Sequence, residues 1–331
     1  MFNFFEPAIF RTTLIALTSA IILSTSGIAP VMAQDGAGTP TVALPMQRSD
    51  GERFTIEASQ VKQRIDGDSV VQSARQDSVV VATVESVTDD GYILDIETQA
   101  FDISGEQELP DPLVERLTEM QKQMPVKLQM SPEGAVAGLA NGPEVFAFTE
   151  RAMTEIGAYL DSLDMPEEAR PMIAQMLTQL SDRGYLEQSL LQSPRLYFFM
   201  SGAELELDAT YYIDDSIVFP LFTVPLPSRI YFGIREVDDQ ARTVTYDWWQ
   251  EPDQEVFRQE LEAFILRLAA QAGAEPPEPG EVDFSGFTYS AEANLVYDLD
   301  TGLPLSMVFV KTIDIQGTQQ VETVEAHTRF E

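Results

Sequence analysis

The sequence has no cysteine and only one histidine, His327, among its 331 residues. Without thiols the chain cannot form a disulfide, a thiolate metal site or a lipid-modified cysteine anchor. A single histidine excludes a two-histidine metal site and leaves one base for a serine–histidine–aspartate triad. No nucleophile elbow, phosphate loop or dinucleotide fingerprint accompanies it. We therefore predict no catalytic residues, no cofactor and no metal.

Basic residues are also scarce, because 20 Lys and Arg stand against 54 Asp and Glu and give a formal net charge of −34. Nucleic acids and anionic membrane surfaces are bound through clustered cationic side chains, and the chain has no basic run. We expect no nucleic-acid partner. The acidity favours solubility in an exposed compartment.

Long hydrophobic runs are missing apart from Leu14 to Leu23, which Arg11 precedes and after which small residues end at Ala33. This run is too short for the roughly 20 residues of a membrane-spanning helix. The pattern predicts a bacterial signal peptide over residues 1–33, cleaved after Ala33, and a periplasmic or secreted protein with no stable membrane anchor after cleavage. An uncleaved anchor is the alternative, because Glu6 lies in the region before the run.

Breaks in composition divide the remainder of the chain. Two stretches rich in Gly and Pro separate segments with regular hydrophobic periods. The predicted divisions are a flexible leader at 34–48, a first β-rich unit with one helix at 49–142, a helical insert at 143–194 and a second β-rich unit with one helix at 195–331. A Pro-rich linker is predicted within the second unit, at 273–283.

The two β-rich units repeat one order of elements: strands, one helix and a hairpin. Strands are predicted at 52–63, 68–75, 78–87 and 92–101, and again at 204–213, 217–224, 229–237 and 243–249. Asp111 and Pro112 start the first helix, and Asp253 and Gly273 bound the second. Alternating apolar and acidic residues in the strands indicate one buried and one wet face. We predict an α+β fold: a curved antiparallel sheet, forming an unclosed β-barrel of two duplicated half-barrel units, with helices packed on the concave face.

The helical insert offers the predicted ligand-binding residues. Its first helix begins at Pro143, a second is predicted over 165–182, and a third over 185–192 is stopped by Pro194. We expect the insert to act as a lid. The stripe that forms the wall of this lid is Phe148, Ile156, Tyr159 and Leu160.

Three acidic or histidine features invite a catalytic interpretation. Asp300-Thr301-Gly302 matches the short aspartic-protease signature but has no second copy, so we interpret it as a turn. His327 alternates with apolar residues and is predicted to be a solvated strand residue. Acidic pairs such as Asp214-Asp215 leave a carboxylate-based hydrolase open, because the spacing of such a pair in space is not visible in a sequence.

Adjacent aromatic pairs are concentrated in the second unit, among them Tyr211-Tyr212, Tyr231-Phe232 and Trp248-Trp249. Neighbouring strand residues point to opposite faces, so some of these rings must face away from the main core. Two interpretations stay open: burial on both sides of the sheet, or a ligand groove.

The hairpin Tyr297-Asp298-Leu299-Asp300-Thr301-Gly302-Leu303-Pro304, together with Pro132-Glu133-Gly134 before a strand and the order of the elements, resembles the LolA/LolB-like periplasmic lipoprotein-carrier superfamily and related exported bacterial domains of unknown function. The resemblance implies a half-barrel whose concave face holds acyl chains or a hydrophobic partner. It assigns no functional residues to this chain.

These observations favour an exported, non-catalytic protein that binds a lipid, a lipoprotein or another apolar ligand in the concavity of its sheet. The alternatives are a carboxylate-based hydrolase of envelope polymers and a structural envelope protein.

Overall fold

The computed structural model describes residues 22–24, 40–105, 111–162, 182–218, 225–271, 287–315 and 317–330. Fourteen strands and four helices lie within these ranges. The strands are β1 (Ile22–Ser24), β2 (Thr41–Ala43), β3 (Arg53–Asp66), β4 (Ser69–Thr88), β5 (Gly91–Gly105), β6 (Val126–Met130), β7 (Val136–Leu139), β8 (Glu204–Glu206), β9 (Thr210–Val218), β10 (Leu226–Asp238), β11 (Thr243–Pro252), β12 (Phe287–Asp298), β13 (Pro304–Ile315) and β14 (Thr318–Phe330). The helices are α1 (Asp111–Gln123), α2 (Gly142–Ser162), α3 (Arg183–Tyr197) and α4 (Gln254–Gln271).

Twelve of these strands form one antiparallel sheet in the order β1-β9-β10-β11-β12-β13-β14-β3-β4-β5-β6-β7, and β2 pairs separately with β8. Laid flat, twelve strands would place the two edges about 50 Å apart. Helix α3 is only about 22 Å long, yet it contacts both edge strands, β1 and β7. The sheet must therefore curve, and because its edge strands do not pair with each other it is not closed. An unclosed, curved antiparallel sheet was predicted, and this part of the prediction is confirmed.

Side chains alternate between two faces of this sheet. The face that holds Phe54 of β3, Ala82 of β4 and Trp248 of β11 is called the inner face, and all three side chains are buried. The main hydrophobic core lies on it and includes Leu191 and Tyr197 of α3. Two side chains of α4, Phe257 and Leu261, are buried in the same core. The packing of every helix as a layer on the concave face stays a prediction.

The strand pattern of the first unit differs from the predicted one. The segments 68–75 and 78–87 form a single 20-residue strand, β4. The expected break fails because Gln76 and Asp77 both pair with β3 and β5 and leave no unpaired turn residue. Three strands, a helix and a hairpin now recur as β3-β4-β5-α1-β6-β7 and β9-β10-β11-α4-β12-β13. The duplication and the unit boundaries stay predictions.

The predicted strand 204–213 is also divided, into β8 and β9. Asp208 has a φ of 62°, in the left-handed region, which no extended strand accommodates. The β-rich segment continues from Thr210, so Tyr211 still lies on the inner face opposite Phe232. Most of the predicted strand 217–224 lies outside the described residues.

Helix α3 runs past Pro194, where the sequence predicted it to stop. The backbone NH of Phe198 donates to Pro194 O at 2.9 Å, so the helix still closes its last turn. The Tyr297 hydroxyl donates to Tyr197 O at 2.6 Å and accepts from the Met200 NH at 3.1 Å. Burial of this end against β12 outweighs the one hydrogen bond that a proline cannot donate. The second predicted helix of the insert lies outside the described residues, apart from Asp182.

Residues 40–48, the end of the predicted flexible leader, are packed onto the sheet. Leu44 is buried and its NH donates to Ala203 O at 3.0 Å. Pro45 O lies 1.9 Å from the position a Cβ would take at Gly302, whose φ is 67°. Only glycine fits there. Residues 34–39 lie outside the described residues.

Within the predicted signal peptide, Ile22–Ser24 pairs with residues 216–218 of β9. The remainder of residues 1–33 and the predicted linker at 273–283 lie outside the described residues.

Candidate functional site

The inner face has a closed arm, formed by β9 to β13. Its large side chains are fully or almost fully buried, as for Trp248 at 2% exposure and Tyr246 at 0%. Phe199, which follows α3, packs edge-on against Phe232 with ring centres 5.2 Å apart and against Trp248 at 6.5 Å. Aromatic rings therefore pack between these strands and the residues that follow α3.

The inner face of β3 to β5 is buried at one end, where Phe54, Ala82 and Leu94 belong to the core, and its other end is the part that we name the open arm. Register places Val80, Phe101 and Ile103 on it, because Val80 is opposite Ile56 and residues 101 and 103 are opposite Ser78 and Gln76. All three apolar side chains are only half-buried. Among the described residues, none belongs to the core cluster or packs against it. Helix α1 contacts β5, but among the described residues the open arm has no aromatic cover like that of the closed arm.

A buried ionic triad of Lys62, Lys311 and Glu322 lies on the inner face where the two arms meet. The Lys62 ammonium is 3.9 Å from Glu322 Oε1, and the Lys311 ammonium donates to Glu322 Oε2. The amide of Gln60 also donates to Glu322 Oε1. The triad therefore places two ammonium groups around one carboxylate.

Burial determines how these charges titrate. It lowers the pKa of Lys62 from 10.5 to about 8, against the opposing effect of Glu322 and with a further contribution from Lys311. Burial also raises the pKa of Glu322, but Lys311 and Lys62 outweigh this and hold it below its usual value. The carboxylate is therefore ionised and Lys62 is the group most easily neutralised.

A second polar group continues along the inner face of the closed arm. The Gln250 amide donates to Asp215 Oδ2 and to Ser228 Oγ, both at 3.0 Å. Burial lowers the pKa of Arg195 in α3, while Glu187 and Asp215 raise it. The group is not fully satisfied, because Gln250 Oε1 is buried and, among the described residues, accepts no hydrogen bond.

Charge is separated between the two faces of the sheet. By register, the charged residues of the inner face are Lys62, Arg64, Asp66, Lys311, Asp215 and Glu322. Three are basic and three acidic, although the chain as a whole has a net charge of −34. Five bases of the outer face are paired with acids there, in the pairs Arg75–Asp77, Lys127–Glu85, Arg229–Asp214, Arg235–Asp247 and Arg329–Glu57. The inner face is therefore much less acidic than the chain as a whole.

The predicted lid wall lies on α2, away from the main core. Ile156 is 4% exposed, and Phe148 and Tyr159 are half-buried. The guanidinium of Arg116 in α1 lies 5.6 Å from the Tyr159 ring centre, and that of Arg151 lies 6.0 Å from Phe148. The side chain of Leu160 lies outside the described residues. The structure brings α1 and α2 together at this stripe, and the lid role stays a prediction.

The three features with a catalytic interpretation lie on different elements, namely the turn after β12, strand β14 and strand β9. Asp300 is an exposed turn residue 2.7 Å from Arg242, which holds its pKa below the usual value. The neighbouring Asp298 accepts hydrogen bonds from the backbone NH of Asp300 and Thr301, as expected of a turn. His327 is exposed. Asp214 and Asp215 point to opposite faces, since the first pairs with exposed Arg229 and the second is buried.

The aromatic pairs divide between the faces as expected. Tyr211 is buried while Tyr212 is 46% exposed. On the outer face the Tyr231 and Trp249 rings stack at 5.3 Å, and Tyr212 lies 6.2 Å from Tyr231. These outward rings pack against one another across three strands.

The ionic triad was missed by sequence reasoning. Its signal is a set of charged residues at positions of the buried face: in β3 the even-numbered series runs Phe54, Ile56, Ala58, Gln60 and Lys62. Glu322 and Lys311 interrupt β14 and β13 in the same way. Only the register of three strands brings them together, because Lys62 lies opposite Glu322 and Glu322 opposite Lys311.

No family model and no curated protein matches this chain. Among solved structures, it is similar to one of lipovitellin concerned with lipid–protein interactions, with 9% identity and a TM-score of 0.39 over 86% of this chain and 25% of that one. It is also similar to an outer membrane channel from Pseudomonas putida F1, with 6% identity and a TM-score of 0.17 over 89% of this chain and 100% of that one. The chain thus spans a quarter of the lipovitellin chain. Membership of the lipoprotein-carrier superfamily stays a prediction.

In the part of the chain that the structure describes, no helix has the length and apolarity to cross a membrane. Over the same residues, no three acidic or histidine side chains converge as a metal site.

Proposed function

We propose that this is an exported, non-catalytic protein that binds an apolar ligand along the open arm of its sheet. The observation that supports this most directly is the set Val80, Phe101 and Ile103, which lie half-buried on the inner face outside the core cluster. Apolar surface on a concave face is the usual lining of a small-molecule site.

The size of the neighbouring side chains supports a site on the open arm. Beside these apolar residues the inner face holds Ala58, Ala74 and Ser78. On the closed arm the larger rings of Trp248 and Phe232 instead pack against Phe199. A ligand on the open arm would gain about 25 cal/mol for each Å² of apolar surface removed from water.

Binding of Nile red, whose fluorescence rises in apolar surroundings, tests this site. We expect the folded protein to bind the dye and Phe101→Glu to weaken binding about tenfold or more, because the new carboxylate would have to be desolvated. Ala100→Glu is the matched control, since Ala100 is exposed and points to the outer face. Absence of dye binding, or equal effects of the two variants, would contradict the proposal.

The export step is tested separately. The intact mass of protein purified from a bacterial periplasm or culture medium should correspond to an N-terminus at Gln34. Cleavage there would remove β1 and make β9 the edge of the sheet. A mature chain that keeps residues 1–33 would contradict this step and leave the binding proposal unaffected.

A further inference from the structure

We infer that the outer face of the closed arm docks a basic partner protein, by taking one of its arginine side chains between the Trp249 indole and the Glu292 carboxylate. Trp249 and Glu292 lie directly opposite each other on β11 and β12. Both point outward, because their neighbours Trp248 and Ala293 are buried on the inner face. This surface is separate from the ligand site proposed on the open arm, which lies on the other face of the sheet.

A row of three outward rings ends at Trp249. Tyr212, Tyr231 and Trp249 are paired across β9, β10 and β11. The Tyr231 and Trp249 rings are nearly parallel, at 11°, and must stand face to face on the sheet, because coplanar rings with centres 5.3 Å apart would clash. Tyr231 therefore covers one face of the indole, and the other face is directed towards β12. Within the described part of the chain, no other ring and no cation lies on that second face.

The opposite end of the row already holds a guanidinium between a ring and a carboxylate. The Arg229 guanidinium lies 4.5 Å from the centre of the Tyr212 ring, and its Nε donates to Asp214 Oδ1 at 3.0 Å. At the other end Trp249 and Glu292 supply the same two groups, and among the described residues no cation of the chain completes them. Indole is the aromatic ring that binds cations most strongly, so this end is suited to a guanidinium from another molecule.

Charge selects a basic partner for this surface. The ring row and the row on either side of it carry four acids and one base on β9 to β12, namely Asp214, Asp247, Glu251, Glu292 and Arg229. A further base, Arg235, pairs with Asp247. The net charge of −34 attracts cations from a distance and disfavours both a second copy of the chain and an anionic surface. Among cations, the planar guanidinium can stack on an indole and bind a carboxylate through two hydrogen bonds at once.

Exposed valines extend the surface onto the next strand. Val310 lies opposite Glu292 on β13, with Val308 two residues away on the same face, and they are 37% and 40% exposed. A small cationic headgroup would use only the ring and the carboxylate, whereas a protein can also cover this apolar flank. Trp and Arg are the side chains that most often dominate such interfaces. The combination therefore favours a protein as the occupant.

Calorimetry with two short synthetic peptides tests the docking surface. Both are blocked at their ends and alternate glycine with a basic residue, arginine in one and lysine in the other. We expect the arginine peptide to bind about threefold or more tightly, because only guanidinium stacks and pairs at the same time. Trp249→Ala and Glu292→Gln should each weaken it about fivefold. Glu97→Gln, which neutralises an exposed outward carboxylate on β5, is the matched control and should not.

The two tryptophans of the chain give a second measurement. Trp248 is buried on the inner face and Trp249 is half-buried on the outer face. In a nitrogen-15 correlation spectrum, the arginine peptide should therefore shift the indole NH signal of Trp249 and leave that of Trp248 in place. Trp249→Ala assigns the two signals, and an unchanged Trp248 signal shows that this variant is folded.

Equal binding of the arginine and lysine peptides would overturn the inference, since binding would then follow charge alone. An unchanged affinity in Glu292→Gln, or a shift of the Trp248 signal without that of Trp249, would do the same. Vesicles of phosphatidylcholine complete the test: if they bind through Trp249 and the arginine peptide does not, the surface recognises a lipid headgroup and not a protein. None of these outcomes depends on Nile red, so the ligand site on the open arm is tested separately.

Discussion

The closed and open arms belong to one sheet and have the same alternation, yet they bury their inner faces to different degrees. On the closed arm Trp248 packs against Phe199, and Tyr246 packs edge-on against Tyr297 with ring centres 5.7 Å apart. On the open arm the corresponding positions are Ala58, Ser78 and Gln76, and the apolar residues between them stay half-buried. Side-chain volume therefore separates the part of the sheet that stabilises the fold from the part where we propose that a ligand binds.

The largest expected effect is the loss of a closed-arm ring. Trp248→Ala should lower the free energy of unfolding by about 3–5 kcal/mol, because a fully buried aromatic leaves a cavity that its neighbours cannot fill. Phe101→Ala on the open arm should cost about 1–2 kcal/mol, since its ring is already partly in water. Urea unfolding of both variants measures the difference. Equal losses would show that the arms are packed alike.

The next largest loss of stability is expected at the ionic triad, where the two arms meet. Glu322→Gln should cost about 3 kcal/mol, because it leaves the Lys311 and Lys62 ammonium groups buried without their carboxylate. The double variant Lys311→Met with Glu322→Leu removes a pair together and should cost much less. If the single variant unfolds at the same urea concentration as the wild type, the triad is hydrated and not part of the buried face.

The pH dependence of the free energy of unfolding should reveal the titration of Lys62. Its pKa is about 8 in the folded protein and 10.5 ordinarily, so between these values the unfolded chain binds more protons. Stability should therefore rise with pH from about 8 to 10, by about 1–3 kcal/mol. Above that range the stability should fall again. Burial raises the pKa of the Tyr289 phenol, so the unfolded chain loses this proton at a lower pH than the folded protein does.

Urea midpoints measured across this range test the assignment. Lys62→Met should be more stable than the wild type near pH 7 and lack the rise. A rise that persists in Lys62→Met would assign the titration to another group.

Local patterns predicted the parts of the fold that depend on neighbouring residues. The helix start at Asp253 and the turn at Asp300 rest on side-chain hydrogen bonds within three residues, and both are present. Alternation likewise predicted opposite faces for Trp248 and Trp249.

Features that depend on contacts between residues far apart in the chain could not be predicted from local sequence patterns. The continuity of β4 through Gln76 depends on β3 and β5 on either side. The end of α3 depends on Tyr297, a hundred residues later. The triad depends on the register of three strands, and no local pattern brings Lys62 to Glu322.

The smallest predicted effect concerns the cover of the closed arm. Asp253 Oδ1 accepts from the backbone NH of Glu255 and Val256, both at 3.0 Å, and so caps α4. Asp253→Ala should cost about 1 kcal/mol, while Asp253→Asn, which keeps the acceptor oxygen, should cost less. Because α4 contacts β10 and buries Phe257, fraying of its first turn should increase amide hydrogen exchange in β10 and leave β4 unchanged. Equal changes in both strands would mean that α4 does not cover the closed arm selectively.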